Sequence, residues 1–439
     1  MHSALGAYIL NLQMRKEFEY RILLLTLLAI AFTSQISAQS TMSIKLSAAP
    51  GYRDNIFNSP DIYIRDNSSV VDTLKRSQLI VSEPFLQLEG TINMKWLFNA
   101  HRINWKTHGE VLRYQNTTQA NATEAYSKLS YDHKPKTGLR KGAHVRLRTQ
   151  DRLGLNVLGS ELLTPFSFNQ VDGGAYVERQ KTRGNSSKLE VTYSYKNYEI
   201  CFGCDLNKQD VSLTQREWGA KFRQEIKTGV IAKRTQKIGI EVHARDRRYF
   251  DWINYELLQE DPDPLAPDPF FPFDPNITYT ARRWRYIVGQ LDYAFPMSKQ
   301  VKVKPFIEYT RRFDISNGDF SYVQWQPGIR FYVKTDNWKV NSSVSYTSRD
   351  YDDRLAREAE GVPFPTLEYT YLRANAKMMR RLKGNWWLRI EGGYASRESN
   401  TTEITTRVRR SYTNAFGMLG IQWSFERDRS KQVTRTSRG

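Results

Sequence analysis

The chain has 439 residues, with 65 Lys+Arg against 46 Asp+Glu, a formal net charge of +19 and a mean hydropathy of −0.62. That mean excludes a bundle of membrane helices, which needs several apolar runs of ~20 residues. Aromatic residues at 13%, with 25 Gly and 16 Pro, argue equally against a disordered or coiled-coil chain. Two readings of the length stay open: two or three soluble domains, or one large β architecture.

The first element is N-terminal. Arg15, Lys16 and Arg21 precede the apolar run from Ile22 to Phe32, and a polar stretch then ends in Ile36-Ser37-Ala38 before Gln39. This charged, apolar, small-residue order is that of a secretory signal peptide cleaved after Ala38. The run is too short to span as an anchor, and no Cys stands at the cleavage point to carry lipid. Met14 offers a second start for the natural chain. Loss of residues 1–38 removes three basic and two acidic residues and leaves a net charge of +18, so export does not account for the basicity.

Beyond residue 38 the chain alternates with period 2. Leu86, Leu88, Gly90, Ile92 and Met94 interleave with Gln87, Glu89, Thr91, Asn93 and Lys95. Val145 and Leu147 interleave with His144, Arg146 and Arg148; Val301, Val303 and Ile307 with Lys302, Lys304 and Glu308; Leu388 and Ile390 with Arg389 and Glu391. Successive strand side chains point to opposite faces, so each run has one apolar and one charged face. A soluble sandwich would turn the apolar faces inward, and a membrane barrel would turn them to lipid. Many runs reach 12–16 residues, long enough for a tilted spanning strand of ~9–11. Tyr and Trp gather near run ends, as at Trp96, Tyr114, Tyr249, Trp252, Trp338, Tyr369, Trp386 and Trp387, where amphipathic rings meet a bilayer interface. Connections also alternate between short and long. The expected fold class is therefore all-β: a transmembrane, antiparallel, up-and-down β-barrel of about 16 strands (14–18).

Sixteen runs centre near residues 48, 88, 108, 129, 147, 176, 192, 220, 243, 286, 307, 327, 344, 373, 391 and 417. Short turns are expected near Asn99, Thr137, Gly184, Gly229, Pro296, Asp336 and Lys383. Longer loops are expected over 58–78, 116–123, 153–169, 199–212, 251–276, 350–366 and 397–408, with a short one near Asn317. The even strand number places both ends of the barrel on the periplasmic side. Runs leading to the long loops close on aromatic and basic residues followed by acid, as in Arg247-Arg248-Tyr249-Phe250-Asp251 and Arg311-Arg312-Phe313-Asp314. The plain reading of this recurrence is an aromatic girdle with snorkelling cations.

The last run, Phe416 to Phe425, contains Gly420-x-x-Trp423-x-Phe425. It resembles the terminal-strand signal that the barrel assembly machinery reads in Gram-negative outer-membrane proteins, and the chain from about 41 to 425 resembles that superfamily. Gly51-Tyr52-Arg53-Asp54-Asn55-Ile56-Phe57 is similar to the first strand of exported barrels from Bacteroidota-like bacteria. The resemblance implies a bacterial outer-membrane location and an assembly route, with Gly420, Trp423 and Phe425 as the assembly signal. Such chains usually stop at the terminal aromatic residue, whereas here a polar, basic tail follows. The expected division is signal peptide 1–38, barrel 39–425 and periplasmic tail 426–439.

Several features bear on function. Arg146, Arg148, Lys302, Lys304, Arg330, Arg373, Lys377 and Arg389 fall on the polar phase and are expected to line the lumen. A cationic, low-dielectric channel favours small anionic solutes. The competing reading pairs these cations with Glu89, Glu110, Glu190, Glu241, Glu308 and Glu391. Basic residues in the expected periplasmic turns, among them Lys134, Lys136, Arg140, Lys141, Arg380, Arg381 and Lys383, would meet anionic lipid headgroups. The leader and the lack of a reader motif argue against nucleic acid as partner. The segment 251–276 holds six of the 16 Pro and four Asp-Pro pairs. Asp261, Asp263, Asp268 and Asp274 make it an acidic candidate for a constriction folded against the basic wall; a surface loop is the alternative. Gly-x-Ser-x-Gly, His-Glu-x-x-His and phosphate-loop motifs are absent, so no enzyme, metal or cofactor is expected. His108, His144 and His243 read as interior polar residues. The expected function is a porin-like diffusion channel for small, preferentially anionic solutes. The alternative is a loop-plugged structural or partner-binding barrel that anchors an outer-membrane complex. Substrate and oligomeric state are not legible in the residues.

Cys201 and Cys204 are the two cysteines, in an expected outer loop of an oxidising compartment, where a local disulfide is favoured over redox or zinc chemistry. Intact mass with and without reductant and alkylation should show no free thiol in the unreduced protein; two alkylated thiols there would refute the bridge.

Overall fold

Period-2 alternation over more than a dozen residues yields long strands, and no strand in hydrocarbon can leave its backbone groups unpaired. The computed structural model describes residues 39–56, 62–67, 70–75, 80–135, 138–154, 164–165, 167–180, 184–198, 214–231, 233–250, 282–316, 320–356, 365–400 and 411–428. The expected signal peptide, Cys201 and Cys204, segment 251–276 and the tail beyond 428 lie outside the described residues.

Sixteen strands form the wall. They are β1 (Gln39–Arg53), β2 (Glu83–Phe98), β3 (His101–Tyr114), β4 (Ala122–His133), β5 (Leu139–Gly154), β6 (Phe168–Gln180), β7 (Ser186–Tyr198) and β8 (Gln215–Ile231). The second half comprises β9 (Arg234–Tyr249), β10 (Arg283–Pro296), β11 (Val301–Asp314), β12 (Tyr322–Lys334), β13 (Trp338–Leu355), β14 (Thr366–Arg381), β15 (Trp386–Ser399) and β16 (Tyr412–Asp428). Each pairs antiparallel with its neighbours in sequence, and β1 pairs with both β2 and β16, so the sheet closes. All sixteen expected centres fall inside these strands. Among the described residues no helix is long and apolar enough to cross a membrane; the strands do the crossing.

The turns follow local chemistry. Asn99 (φ 52°) takes the left-handed conformation that Asn tolerates between β2 and β3, and Gly184 (φ 92°) takes it between β6 and β7. The turn expected at Gly229 is displaced: β8 runs on to Ile231, and Lys233 (φ 63°) is the left-handed residue of the β8–β9 connection. Gly229 instead sits at a bulge, where the register with β9 shifts between Lys227 and Gly229. Two further features were not visible in the alternation. The connection after β1 contains a small hairpin, Ile62–Asn67 with Val70–Lys75. β16 also passes Phe425, because β1 offers partners as far as Thr41↔Asp428; the strand therefore includes Glu426 to Asp428.

The outer wall is apolar. Leu46, Leu129, Val145, Val191, Phe222, Val242, Leu291, Ile329, Val344, Leu419 and Ile421 are all exposed on it, Leu419 at 53% and Ile421 at 49%. Such exposure in a monomer suits lipid contact and is costly in water. Near the short-turn end Trp386 and Trp338 face outward, and Trp423 stacks on Phe425 with ring centroids 6.0 Å apart.

Small residues permit closure at the β1–β16 seam. A Cβ on Gly420 would lie 2.5 Å from the Ala49 Cβ, and one on Gly51 would lie 2.7 Å from the Gly417 carbonyl oxygen. Gly420→Leu should therefore lower stability by about 1–3 kcal/mol through overpacking. Denaturant unfolding of refolded protein in detergent, read by heat-modifiable gel migration, checks this; an unchanged midpoint would show that the seam has room.

Candidate functional site

The polar phase of every strand faces the lumen, and cross-strand register decides which charges meet. Where the strand between two charged residues carries glycine, side chains two strands apart come together. Arg389 on β15 lies opposite Gly420 on β16. Its guanidinium reaches over the seam, donating to Ser47 on β1 (3.0 Å), Glu89 on β2 (2.5 Å) and Glu391 on its own strand (2.8 Å). Lys377 on β14 completes this cluster at 3.2 Å from Glu391. Arg389 is 3% exposed, so these bonds are largely shielded from water.

A second cluster repeats the device. Arg223 on β8 pairs with Glu225 (3.2 Å), Glu241 on β9 (3.1 Å) and Asp292 on β10 (3.2 Å). Gly239 on β9 stands between Glu225 on β8 and Asp292 on β10, and Arg223 reaches Asp292 over it: a Cβ there would meet Arg223 Nη2 at 2.7 Å and Asp292 Oδ1 at 2.8 Å. Lys221 holds Glu241 at 2.6 Å, Lys237 holds Glu225 at 2.9 Å and Lys304 holds Asp292 at 3.0 Å. In a third cluster Asp132 accepts from Arg102 and the Tyr176 hydroxyl, and Arg140 stands 3.6 Å from it and 2.9 Å from Glu178.

The eight expected pore-lining cations all take the inward phase, but they divide in two. Arg146 pairs with Asp172 (2.6 Å), Arg148 with Glu124 (2.8 Å), and Lys304, Lys377 and Arg389 join the clusters above. Lys302, Arg330 and Arg373 have no ion pair among the described residues. They lie over aromatic rings instead, Lys302 4.4 Å from Tyr332, Arg330 4.3 Å from Phe306 and Arg373 5.4 Å from Tyr371. Of the expected partner carboxylates, Glu89, Glu190, Glu241 and Glu391 are in ion pairs. Glu110 has only His108, at 4.0 Å, and Glu308 has no ion pair among the described residues.

Sequence reading missed Asp172, Asp292, Glu124, Glu225, Arg223 and Lys221, although strict parity from the neighbouring residues would have placed each inside. It also missed a luminal cavity of about 380 Å³ lined by Lys95, Arg102, Asn104, Lys128, His144 and Lys188. Within it Lys95 and Lys128 have no ion pair among the described residues.

Toward the long-loop end the inner wall changes from carboxylate to aromatic. Arg312 lies 4.3 Å from the Trp284 ring and 4.2 Å from that of Tyr322, and Arg349 lies 4.5 Å from Tyr322. Tyr322, Tyr351 and Tyr369 pack together, as do Tyr249, Trp284, Tyr286 and Phe320. The recurrent aromatic and basic run ends thus split between faces: Arg312 turns inward, whereas Arg311 pairs on the outer face with Asp352 at 2.5 Å. The simple girdle expected from sequence is two rings, one inside and one outside, because adjacent residues cannot share a face.

A closed antiparallel wall, apolar outside and charged inside, defines a multi-pass transmembrane β-barrel of the outer-membrane kind. No family model matches the chain, and no curated protein matches it. Among solved structures it is similar to CdiB from Acinetobacter baumannii (8% identity, TM-score 0.40, covering 88% of this chain and 60% of that one). It is also similar to the siderophore receptor PirA from Acinetobacter baumannii (8%, 0.37, 83% and 53%) and to the outer membrane protein opdK from Pseudomonas aeruginosa (9%, 0.40, 88% and 99%). The chain thus spans 60% of CdiB's length and 53% of PirA's.

Arg389→Met would strand Glu89 with Ser47 alone and should cost about 2 kcal/mol. Arg373→Gln, which loses one ring contact, should stay within about 0.5 kcal/mol. Paired denaturation curves in detergent check the contrast; equal midpoints would show that the seam cluster carries no stability.

Proposed function

We propose that the chain is a passive diffusion channel of a bacterial outer membrane, exported by the signal peptide 1–38 and selective for small anionic solutes. The observation that carries this reading is a set of inward cations without an ion pair among the described residues, among them Lys95 and Lys128 on one side and Lys302, Arg330 and Arg373 on the other. A 16-strand barrel is wide enough for an aqueous lumen, and cations on a low-dielectric wall raise the local anion concentration. No chemical step or cofactor enters this reading. Assembly through Gly420, Trp423 and Phe425 and a Bacteroidota-like source belong to the same proposal and rest on sequence resemblance.

A specific feature favours the second reading, a loop-plugged structural or partner-binding barrel. Tyr249, Trp284, Tyr286, Tyr322, Tyr351 and Tyr369 face inward near one mouth and are buried, where an open, water-filled mouth would leave them wet. The acidic segment 251–276 joins β9 and β10 at that same mouth and is the proposed constriction.

Planar-bilayer recording under a salt gradient separates these readings. The expected result is conductance with an anion-selective reversal potential, and the triple substitution Lys302→Gln, Arg330→Gln, Arg373→Gln should lower the anion-to-cation permeability ratio by roughly twofold or more. Deletion of residues 259–274 should raise single-channel conductance. Cation preference in the unaltered protein refutes the anion reading, and absence of conductance with and without the deletion supports the anchoring barrel.

A further inference from the structure

The outer wall carries an arrangement that a lipid-facing surface does not need. Arg216 on β8 lies directly opposite Arg248 on β9, and Arg248 lies directly opposite Arg283 on β10. All three take the outward phase, shared with the exposed Trp218 and Ile287. Directly opposed residues stand about 4.5–5.5 Å apart at Cβ, and like charges there destabilise a sheet. The row one pleat repeat toward the membrane reads Trp218, Asp246, Arg285 and Phe313. Its one carboxylate, Asp246, holds Arg283 at 2.5 Å and Arg285 at 3.4 Å. Among the described residues four guanidiniums therefore share one carboxylate, Arg248 has no ion pair, and Arg216 contacts the Phe250 ring at 5.4 Å.

Directly below this patch lies a groove of about 700 Å³. Its floor is the next outward row, Val191, Ala220, Ala244 and Ile287, in register across four strands. The two central alanines leave a trough between Trp218 and Phe313. An apolar trough running down from an under-neutralised cationic cap matches one chemistry, an acyl chain joined to an anionic headgroup. Arg side chains bind phosphate bidentately, and the strand ends at the long-loop side place this cap at headgroup height.

We infer that the outer wall over β7–β11 is a binding site for a phosphate-bearing acyl lipid of the outer leaflet. Its phosphate is held by Arg216, Arg248, Arg283 and Arg285, and one acyl chain lies over Ala220 and Ala244. The site is on the lipid face and is independent of whether the lumen conducts.

The test is native mass spectrometry of the full-length mature protein in mild detergent, titrated with bis-phosphorylated lipid A, with the same lipid after phosphatase treatment, and with inorganic phosphate. The expected result is one tightly retained phosphorylated lipid, with retention at least about tenfold weaker after dephosphorylation. Arg216→Gln with Arg248→Gln should abolish that preference, and Ala220→Trp with Ala244→Trp should lower retention of both lipids, heat-modifiable migration confirming the folded barrel in each case. Equal retention of phosphorylated and dephosphorylated lipid by the unaltered protein overturns the proposal without recourse to any variant. Unchanged retention in the Trp variant overturns the trough as acyl site. Displacement of the lipid by an equal concentration of inorganic phosphate would show a free-anion site instead.

Discussion

The structure depends on one constraint: in hydrocarbon every backbone N–H and C=O must find a partner inside the protein, so the sheet can have no edge. Pairing of β1 with β16 meets it, from Thr41↔Asp428 to Arg53↔Phe416. The cost of an open edge explains the small residues at the seam, Ala49, Gly51 and Gly420, which let the two strands approach. A buried cation of the interior, Arg389, also lies across that junction, tying β15 to β1 and β2. Closure and lumen chemistry are thus set by the same few residues.

Inside the barrel, glycine acts as a window. Gly239 and Gly420 each remove a side chain from the strand between two charged partners, and Arg223 and Arg389 pass through the gaps. The resulting clusters neutralise carboxylates more completely than cations. Charges on the inner wall are desolvated on one side only, so pairing lowers their cost without requiring that every cation be matched. Lys95, Lys128, Lys302, Arg330 and Arg373 are among the inward cations that have no ion pair among the described residues.

Much of this was legible beforehand because period 2 is a strong signal when it persists for a dozen residues. Every strand centre, the parity of the eight luminal cations and the alternation of short and long connections followed from it. The failures have local causes. Gly229 reads as a turn residue, yet a bulge uses glycine equally well, and Lys233 took the left-handed position instead. The hairpin at 62–75 is too short to stand out from a loop. The strand end at Phe425 was set by resemblance, whereas pairing with β1 carries it to Asp428.

The sequence by itself determined the class of fold, the face on which each charge lies and the direction of every strand, because side-chain alternation is a property of the local backbone. Only the tertiary structure decided which charges meet. Arg389 and Glu89 are 300 residues apart, and Asp292 meets Arg223 across an intervening strand. The same holds on the outer wall, where Arg216, Arg248 and Arg283 form one row only because β8, β9 and β10 pair in that register. Cross-strand register is a relation between distant segments, fixed by closure of the whole sheet, and no single segment contains it.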